Sequence, residues 1–330
     1  MGIVSSIGFE VAFDVVLVHA SQREAGEHYV QLSRERYVRE AECRNVWLID
    51  RDAHAHPHNI PYPAPAAARA VAHAVEHPGC IVGAFAALAL YGLPFLVDAA
   101  DTTLYCTTDR TKLGDEISPT VLRMPRPLGR SYTLRHRGVT FSAFAPAEAL
   151  VQALQHIRKG MHRWHVVNID GLEPVDVMAI QLIDCCRRFL GVRPEELEEA
   201  AARRLSRRWL ERVLPLSSSL ADSPKETELR LLLSSDVGKF GYTLQEQVPL
   251  YDNGVIVTTF DFAIPALKIG AMYDGAHHWE YDQRQKDAAI NLKAARLEWI
   301  VARCSSKTMF ELVDLICDLI RQKAADVGAS

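Results

Sequence analysis

Residues 255–275 read VIVTTFDFAIPALKIGAMYDG, and how this stretch is read decides the fold of the C-terminal part of the chain. Val255–Ala263 has the β-branched and aromatic content of a strand, with Asp261 set among apolar neighbours. Pro265–Lys268 turns the chain. Ile269–Tyr273 is then a second, buried strand that ends at Asp274-Gly275. Upstream, Tyr242–Pro249 is a further strand, joined to Val255 through Asn253-Gly254, a dipeptide that favours tight hairpins.

Working outward, residues 223–233 (SPKETELRLLL) open a helix. Ser223 is suited to the N-cap, Pro224 to the first helical position, and Glu226, three residues past the cap, completes a capping box. Glu226 and Arg230 are spaced for an ion pair on one helix face. Helix stability alone accounts for this pattern. Beyond Gly275 come a helical stretch with Arg284, Lys286, Asp287 and Lys293, a strand at Trp299–Arg303 and a closing amphipathic helix over Ser306–Lys323. The expected order is helix, three-strand meander, helix, strand, helix.

In that order Asp261, Asp274 and the following His277-His278 can converge at one edge of a sheet. Carboxylates so placed bind Mg²⁺, which polarises a scissile phosphate and activates water. Taken singly, Asp261 is equally a core residue satisfied by backbone donors, and Asp274-Gly275 an ordinary turn.

The rest of the chain is less distinctive. Phe9–Ala20 and Glu27–Ala41 have helical apolar spacing, and Asn45–Ile49 has strand composition; together they match a winged helix-turn-helix unit over residues 1–52, among other modules. His54, His56 and His58 alternate within a Pro-rich stretch that reads as a linker, although three imidazoles on one side of an extended strand also permit metal binding. Ala66–His77 and Cys80–Leu93 read as helices, Thr102–Thr108 and Gly138–Phe144 as strands, and long helices follow from Pro146 to about Leu214. Residues 120–140 hold Arg123, Arg126, Arg130, Arg135 and Arg137 with no acidic residue, a candidate phosphate-contacting cluster or simply a basic loop. A second basic run, Arg203–Arg212, lies beside acidic Glu195–Glu199 and reads as a self-paired surface. The serine-rich Leu216–Ser223 is a connector.

Composition sets limits on these readings. With 330 residues, 48% apolar and 24% charged, the chain is globular and long enough for two or three domains. Lys+Arg number 37 and Asp+Glu 41, so polyanion binding requires a local patch. The last domain, residues 222–326, has 12 Lys+Arg against 16 Asp+Glu. Seven cysteines without CxxC spacing read as reduced thiols rather than a disulfide framework. No stretch reaches the roughly 18 apolar residues of a membrane span, and Phe9–Ala20 carries Glu10 and Asp14 with no basic segment before it. A soluble, cytoplasmic protein is expected.

Residues 223–323 resemble the bacterial nuclease-like domains related to the very-short-patch-repair endonuclease, within the PD-(D/E)xK restriction-endonuclease fold. The resemblance rests on Ser223-Pro224-Lys225-Glu226 with Leu229-Arg230, on Asp261-Phe262-Ala263 with Pro265, and on Tyr273-Asp274-Gly275 with His278. It continues through Arg284-Gln285, Asp287 and Leu292 to Trp299-Ile300-Val301 and Arg303. Residues 40–150 are more loosely similar to the region preceding such a domain in actinobacterial proteins of AbiEi-antitoxin type, through His77-Pro78-Gly79 and Gly83–Leu93. In that family an N-terminal winged helix binds promoter DNA; residues 1–50 depart from that module.

The resemblance implies Mg²⁺ held by the strand aspartate Asp261 with a second carboxylate, which in this chain Asp274 or Glu226 would supply, and an assisting histidine, to which His277 or His278 would correspond. It also implies an α/β multi-domain architecture: a winged-helix-like unit over 1–52, an α+β and helical region over 66–215, and a restriction-endonuclease-like domain with a mixed sheet over 222–326. One departure bears on mechanism. The family has a glutamate two residues before Asp-Gly, where this chain has Met272, a soft, uncharged and poor ligand for Mg²⁺. Three functions follow as expectations. The first is a DNA-binding regulator of antitoxin type, with a cognate toxin as partner and a degenerate nuclease-like domain. The others are a Mg²⁺-dependent endonuclease and a protein-interaction module that does not touch DNA. For the first two, Arg284 and Lys286 join the five arginines as candidate DNA contacts.

Overall fold

The structure, a computed structural model, describes the backbone of residues 5–12, 14–107, 111–126, 129–275 and 281–328, and the side chains among them except those of 5–10, 281–287 and 325–328. His277 and His278 lie outside the described residues, as do the side chains of Arg284 and Lys286. The chain divides into two units, one of residues 1–168 with 172–219, the other of residues 169–171 with 220–330.

In the first unit the strands are β1 (Ser5–Glu10), β2 (Val18–His19), β3 (Tyr29–Gln31), β4 (Arg36–Arg39), β5 (Ile81–Gly83), β6 (Thr103–Cys106), β7 (Thr120–Arg123), β8 (Ser131–His136) and β9 (Val139–Phe144). Its helices are α1 (Val46–Ala55), α2 (Ala66–Glu76), α3 (Ala84–Leu90), α4 (Pro146–Arg158), α5 (Pro174–Leu190), α6 (Pro194–Ala201) and α7 (Arg207–Val213). A six-stranded mixed sheet has the order β1-β8-β9-β5-β6-β7, and a small antiparallel sheet the order β2-β4-β3. Helix α3 packs between α2 and α4. Both α2 and α3 are alanine-rich and buried along nearly their whole length, since small side chains let helices lie close on two sides.

Several local expectations fail in this unit, for identifiable reasons. Residues 9–20 do not form a helix, because β1 pairs in parallel with β8, and the Val11 and Ala12 amides bond to the carbonyls of Arg135 and Leu90. Residues 27–41 form the β3–β4 hairpin, whose alternation buries Leu32 and Val38. Asn45 accepts from the Trp47 amide and so caps helix α1 where a strand was expected. Strands followed by a helix therefore replace the helix, helix, strand order of a winged-helix unit.

His54 sits on α1 and His56 caps it, so the three histidines do not share a strand face. His56 is 1% exposed: its Nε2 lies 2.9 Å from Asp101 Oδ1, and its Nδ1 accepts the His58 amide. Tyr62 and Thr120 also donate to Asp101, whose carboxyl these partners hold well below the usual range against the opposing effect of burial. The imidazole ties the proline-rich segment to the sheet.

Cys80–Leu93 is strand β5 followed by helix α3. The expectation of seven free thiols is also corrected: Cys80 and Cys106 form a disulfide. The antiparallel pairing of Ile81 with Tyr105 brings these cysteines opposite each other, with Cα atoms 4.6 Å apart, the spacing of a non-hydrogen-bonded pair.

The second unit contains α8 (Pro224–Lys239), β10 (Gln245–Asp252), β11 (Val255–Ile264), β12 (Ile269–Tyr273), α9 (Tyr281–Arg296), β13 (Ile300–Cys304) and α10 (Met309–Gly328). Its sheet runs β10-β11-β12-β13, antiparallel through β12 and then parallel between β12 and β13. A parallel pair needs a long crossover, which α9 supplies. One core joins Leu229 and Leu233 of α8, Phe262 and Ala271 of the sheet, and Leu312 and Ile316 of α10. A second gathers Leu250, Phe260 and Ala263 with Ala294 of α9, with Met272 and Trp299 packed against it. Gly270 is required here, because a Cβ at that position would meet the Phe260 ring at 2.6 Å. Among the described residues no helix is long and apolar enough to cross a membrane.

Candidate functional site

Helix α8 begins as its sequence dictates. Ser223 Oγ accepts the Glu226 amide at 3.2 Å, and its hydroxyl donates to Glu226 Oε1 at 3.0 Å. Glu226 Oε2 accepts from the Asp222 amide at 2.8 Å, one residue before the cap. The first turn and a half is buried on more than its apolar side, because Glu226, Glu228 and Arg230 are all enclosed. Lys225 Nζ meets Glu228 Oε2 at 2.6 Å, and Arg230 Nε lies 3.5 Å from Glu246 Oε2 on β10.

The meander brings a second acid close. Asp261 Oδ2 accepts the Tyr273 amide at 2.7 Å, and the Gln247 side chain also donates to it. Gln247 has φ +50° within β10, between the Glu246–Phe262 and Val248–Phe260 pairs, while the register itself shifts farther along, between Leu250 and Tyr251. A non-glycine residue in the left-handed region of a strand is costly, and such residues cluster at functional sites.

Asp274 closes the site at the end of β12. Its amide donates to the Cys304 carbonyl at 2.7 Å, and its Oδ1 lies 3.1 Å from Arg303 Nη1. Arg303 is also the strand partner of Met272 across the parallel β12–β13 pair.

Carboxylate repulsion governs the electrostatics. Burial first, then the charge of Asp261 and of Asp222, pushes the Glu226 carboxyl up to about 7, against hydrogen bonds from the Asp222 amide and Ser223. Burial likewise raises Asp261; the charges of Asp222 and Asp274 add to the effect, while the Tyr273 amide and Gln247 oppose it. Cys304 is pushed up to about 12 by burial and by Asp274 and Asp261, so it is an inert thiol rather than a nucleophile. A carboxyl near 7 can take or give a proton at neutral pH, which general acid–base work needs.

The site thus brings together Asp261, Asp274 and Glu226 of the residues expected from sequence, and adds Gln247, Arg303 and Asp222. Among the described residues, no three His, Cys, Asp or Glu side chains are grouped so as to hold a metal ion. Met272, next to Asp261 along the β11–β12 register, packs its thioether against the apolar cluster under α9. Sequence carried no signal for Gln247, whose backbone conformation is the informative feature. Arg303 could have been singled out as a charge inside the strand WIVAR.

The five arginines of residues 123–137 fall in two groups. Arg123 is on β7, at one edge of the six-stranded sheet, with Arg126 just beyond it. Arg135 is on β8, with Arg130 before it and Arg137 after it. Four strand steps separate β8 from β7, about 19 Å at the usual spacing. Arg137 has a local partner, bonding both oxygens of Asp14 at 2.8 and 2.9 Å.

Comparison of the chain with protein-family models, with curated proteins and with solved structures finds no match in any of the three.

Proposed function

We propose that the chain is a DNA-binding protein of antitoxin or transcriptional-regulator type, and that its second unit is a restriction-endonuclease-like domain with a degenerate hydrolytic site. The observation that carries this reading is the surroundings of Asp261 and Asp274. An apolar thioether, Met272, sits where the nucleases it resembles have a glutamate, and Arg303 lies 3.1 Å from Asp274 as its countercharge. On this reading the domain is a scaffold or DNA-contacting surface. Its partners are duplex DNA and, for an antitoxin, a cognate toxin protein.

The experiment is duplex binding by the purified full chain in EDTA across a range of salt. Phosphate-led binding weakens steeply and log-linearly with salt, and should be the same with or without Mg²⁺. Absence of any salt-dependent binding would leave the interaction-module reading in place.

A second reading, a Mg²⁺-dependent endonuclease, is favoured by the same electrostatics. The charges of Asp222, Asp261 and Asp274 raise their neighbours' pKa values, and a divalent cation would relieve that repulsion. Here Asp261 and Asp274 would hold the ion. The residues described do not supply the third donor.

A further inference from the structure

In the first unit a cleft of about 350 Å³ opens where the β3–β4 turn and the β6–β7 connection meet the C-terminal turn of α2. Its lining includes Arg34, Glu35, His73, Glu76, His77 and Lys112. We propose that this cleft binds a phosphate dianion, either free or as the phosphate of a small phosphomonoester. The assignment is independent of the nuclease-like unit.

The two cations are held in place by backbone. Lys112 exchanges both amide–carbonyl hydrogen bonds with Val121 of β7, at 3.0 and 2.8 Å. Arg34 lies at the tip of the β3–β4 turn, which is fastened to α2 because Glu76 Oε1 accepts both the Ser33 hydroxyl, at 2.5 Å, and the Glu35 amide, at 2.9 Å. Both side chains are exposed at the cleft, and neither forms a salt bridge among the described residues.

The two acids are engaged elsewhere. One Glu76 oxygen is taken up by the turn, and Glu35 Oε2 faces His19 Nε2 at 3.3 Å. A ligand phosphate therefore meets two cations, of which Lys112 also acts on the nearby Asp115 carboxylate, and two lining carboxylates that already have partners.

The imidazoles supply the second observation. His73 is 2% exposed and lines the cleft, and its Nδ1 has no hydrogen-bond partner among the described residues. Burial, with Arg69 nearby, pushes His73 down to about 3, so the ring is neutral and offers a single N–H donor. His77 spends its Nδ1 on the His73 carbonyl at 2.9 Å, which leaves its Nε2 for the cleft. Two cations beside the His73 and His77 rings suit a small, highly charged oxyanion better than an apolar ligand. The volume is at the small end of ligand sites, in keeping with a phosphate or a small sugar phosphate.

The test is calorimetric titration of the full chain, at constant ionic strength, with inorganic phosphate, ribose 5-phosphate and ribose. The natural protein should bind one of the two phosphates saturably at about 1 mM or tighter, and ribose not at all. The Arg34→Ala/Lys112→Ala double variant changes two exposed residues and should melt as the natural protein does, while its affinity falls at least about tenfold. The His73 and His77 ring resonances should move on saturation. Tighter binding of ribose 5-phosphate would identify the phosphomonoester as the ligand, and equal binding would identify free phosphate. No binding of either phosphate by about 10 mM, or undiminished binding by the double variant, would overturn the assignment.

Discussion

Arg303 Nη1 lies 3.1 Å from Asp274 Oδ1, and the same arginine is the strand partner of Met272. One basic side chain thus neutralises the acid at the end of β12, and its strand partner carries an uncharged thioether. On the reading proposed above, an active site of this kind would instead have a glutamate at position 272 to share a cation with Asp261.

Arg303→Ala should destabilise the protein at pH 7–8 by about 1 kcal/mol, because the pair is only partly shielded from water. Urea unfolding of this variant beside Asp274→Asn and the double variant checks this; strictly additive losses would mean that the arginine acts through packing rather than through the pair.

Glu226 sets a pH dependence of opposite sign to that of a salt-bridged acid. Its folded value, about 7, is above its unfolded value near 4.5, so the folded state binds more protons between those limits. Its contribution is favourable below about 4.5 and is lost as pH rises through 7, by at most about 3 kcal/mol. Glu226→Gln should flatten the decline of stability over that window, although it cannot reproduce both cap hydrogen bonds. Denaturant midpoints from pH 4.5 to 8 report the slope, and an unchanged slope in the variant would assign it to other groups.

How far the sequence could be read depends on how local each determinant is. Ser223, Asn253-Gly254 and Asp274-Gly275 act within a few residues, and the order of elements from α8 to α10 followed from them. At the N-terminus, by contrast, Glu10 pairs with Arg135, a contact no window along the chain can see. The helical spacing of residues 9–20 was outweighed by that pairing, just as the disulfide followed from the register of β5 on β6 rather than from cysteine spacing. In the candidate site, Asp261, Asp274 and Glu226 were legible as acids beside turn and cap signals. Gln247 was not, since its role comes from a φ of +50° opposite Asp261.

Gly270→Ala should cost about 1–3 kcal/mol, because the added methyl would meet the Phe260 ring at 2.6 Å inside the packed layer under α9. Thermal unfolding measures this directly. A neutral result would show that Phe260 and Trp299, whose rings stack at 5.1 Å, move together without loss.

The Cys80–Cys106 bond closes a loop with a sequence separation of 26, and chain entropy alone gives it about 3 kcal/mol. Dithiothreitol should lower the unfolding midpoint of the natural protein and leave that of Cys80→Ala/Cys106→Ala unchanged. Equal responses in the two proteins would show that the bond contributes nothing.

On the proposed function, Met272 disables a nuclease-like site. The direct measurement incubates supercoiled plasmid with the natural protein, Asp261→Asn, Met272→Glu and Met272→Glu/Asp261→Asn, each with Mg²⁺, Mn²⁺ or EDTA. The account predicts no nicking by the natural protein, metal-dependent nicking by Met272→Glu, and loss of that nicking in the double variant. Metal-dependent nicking by the natural protein that disappears in Asp261→Asn would contradict it and make the chain an active endonuclease.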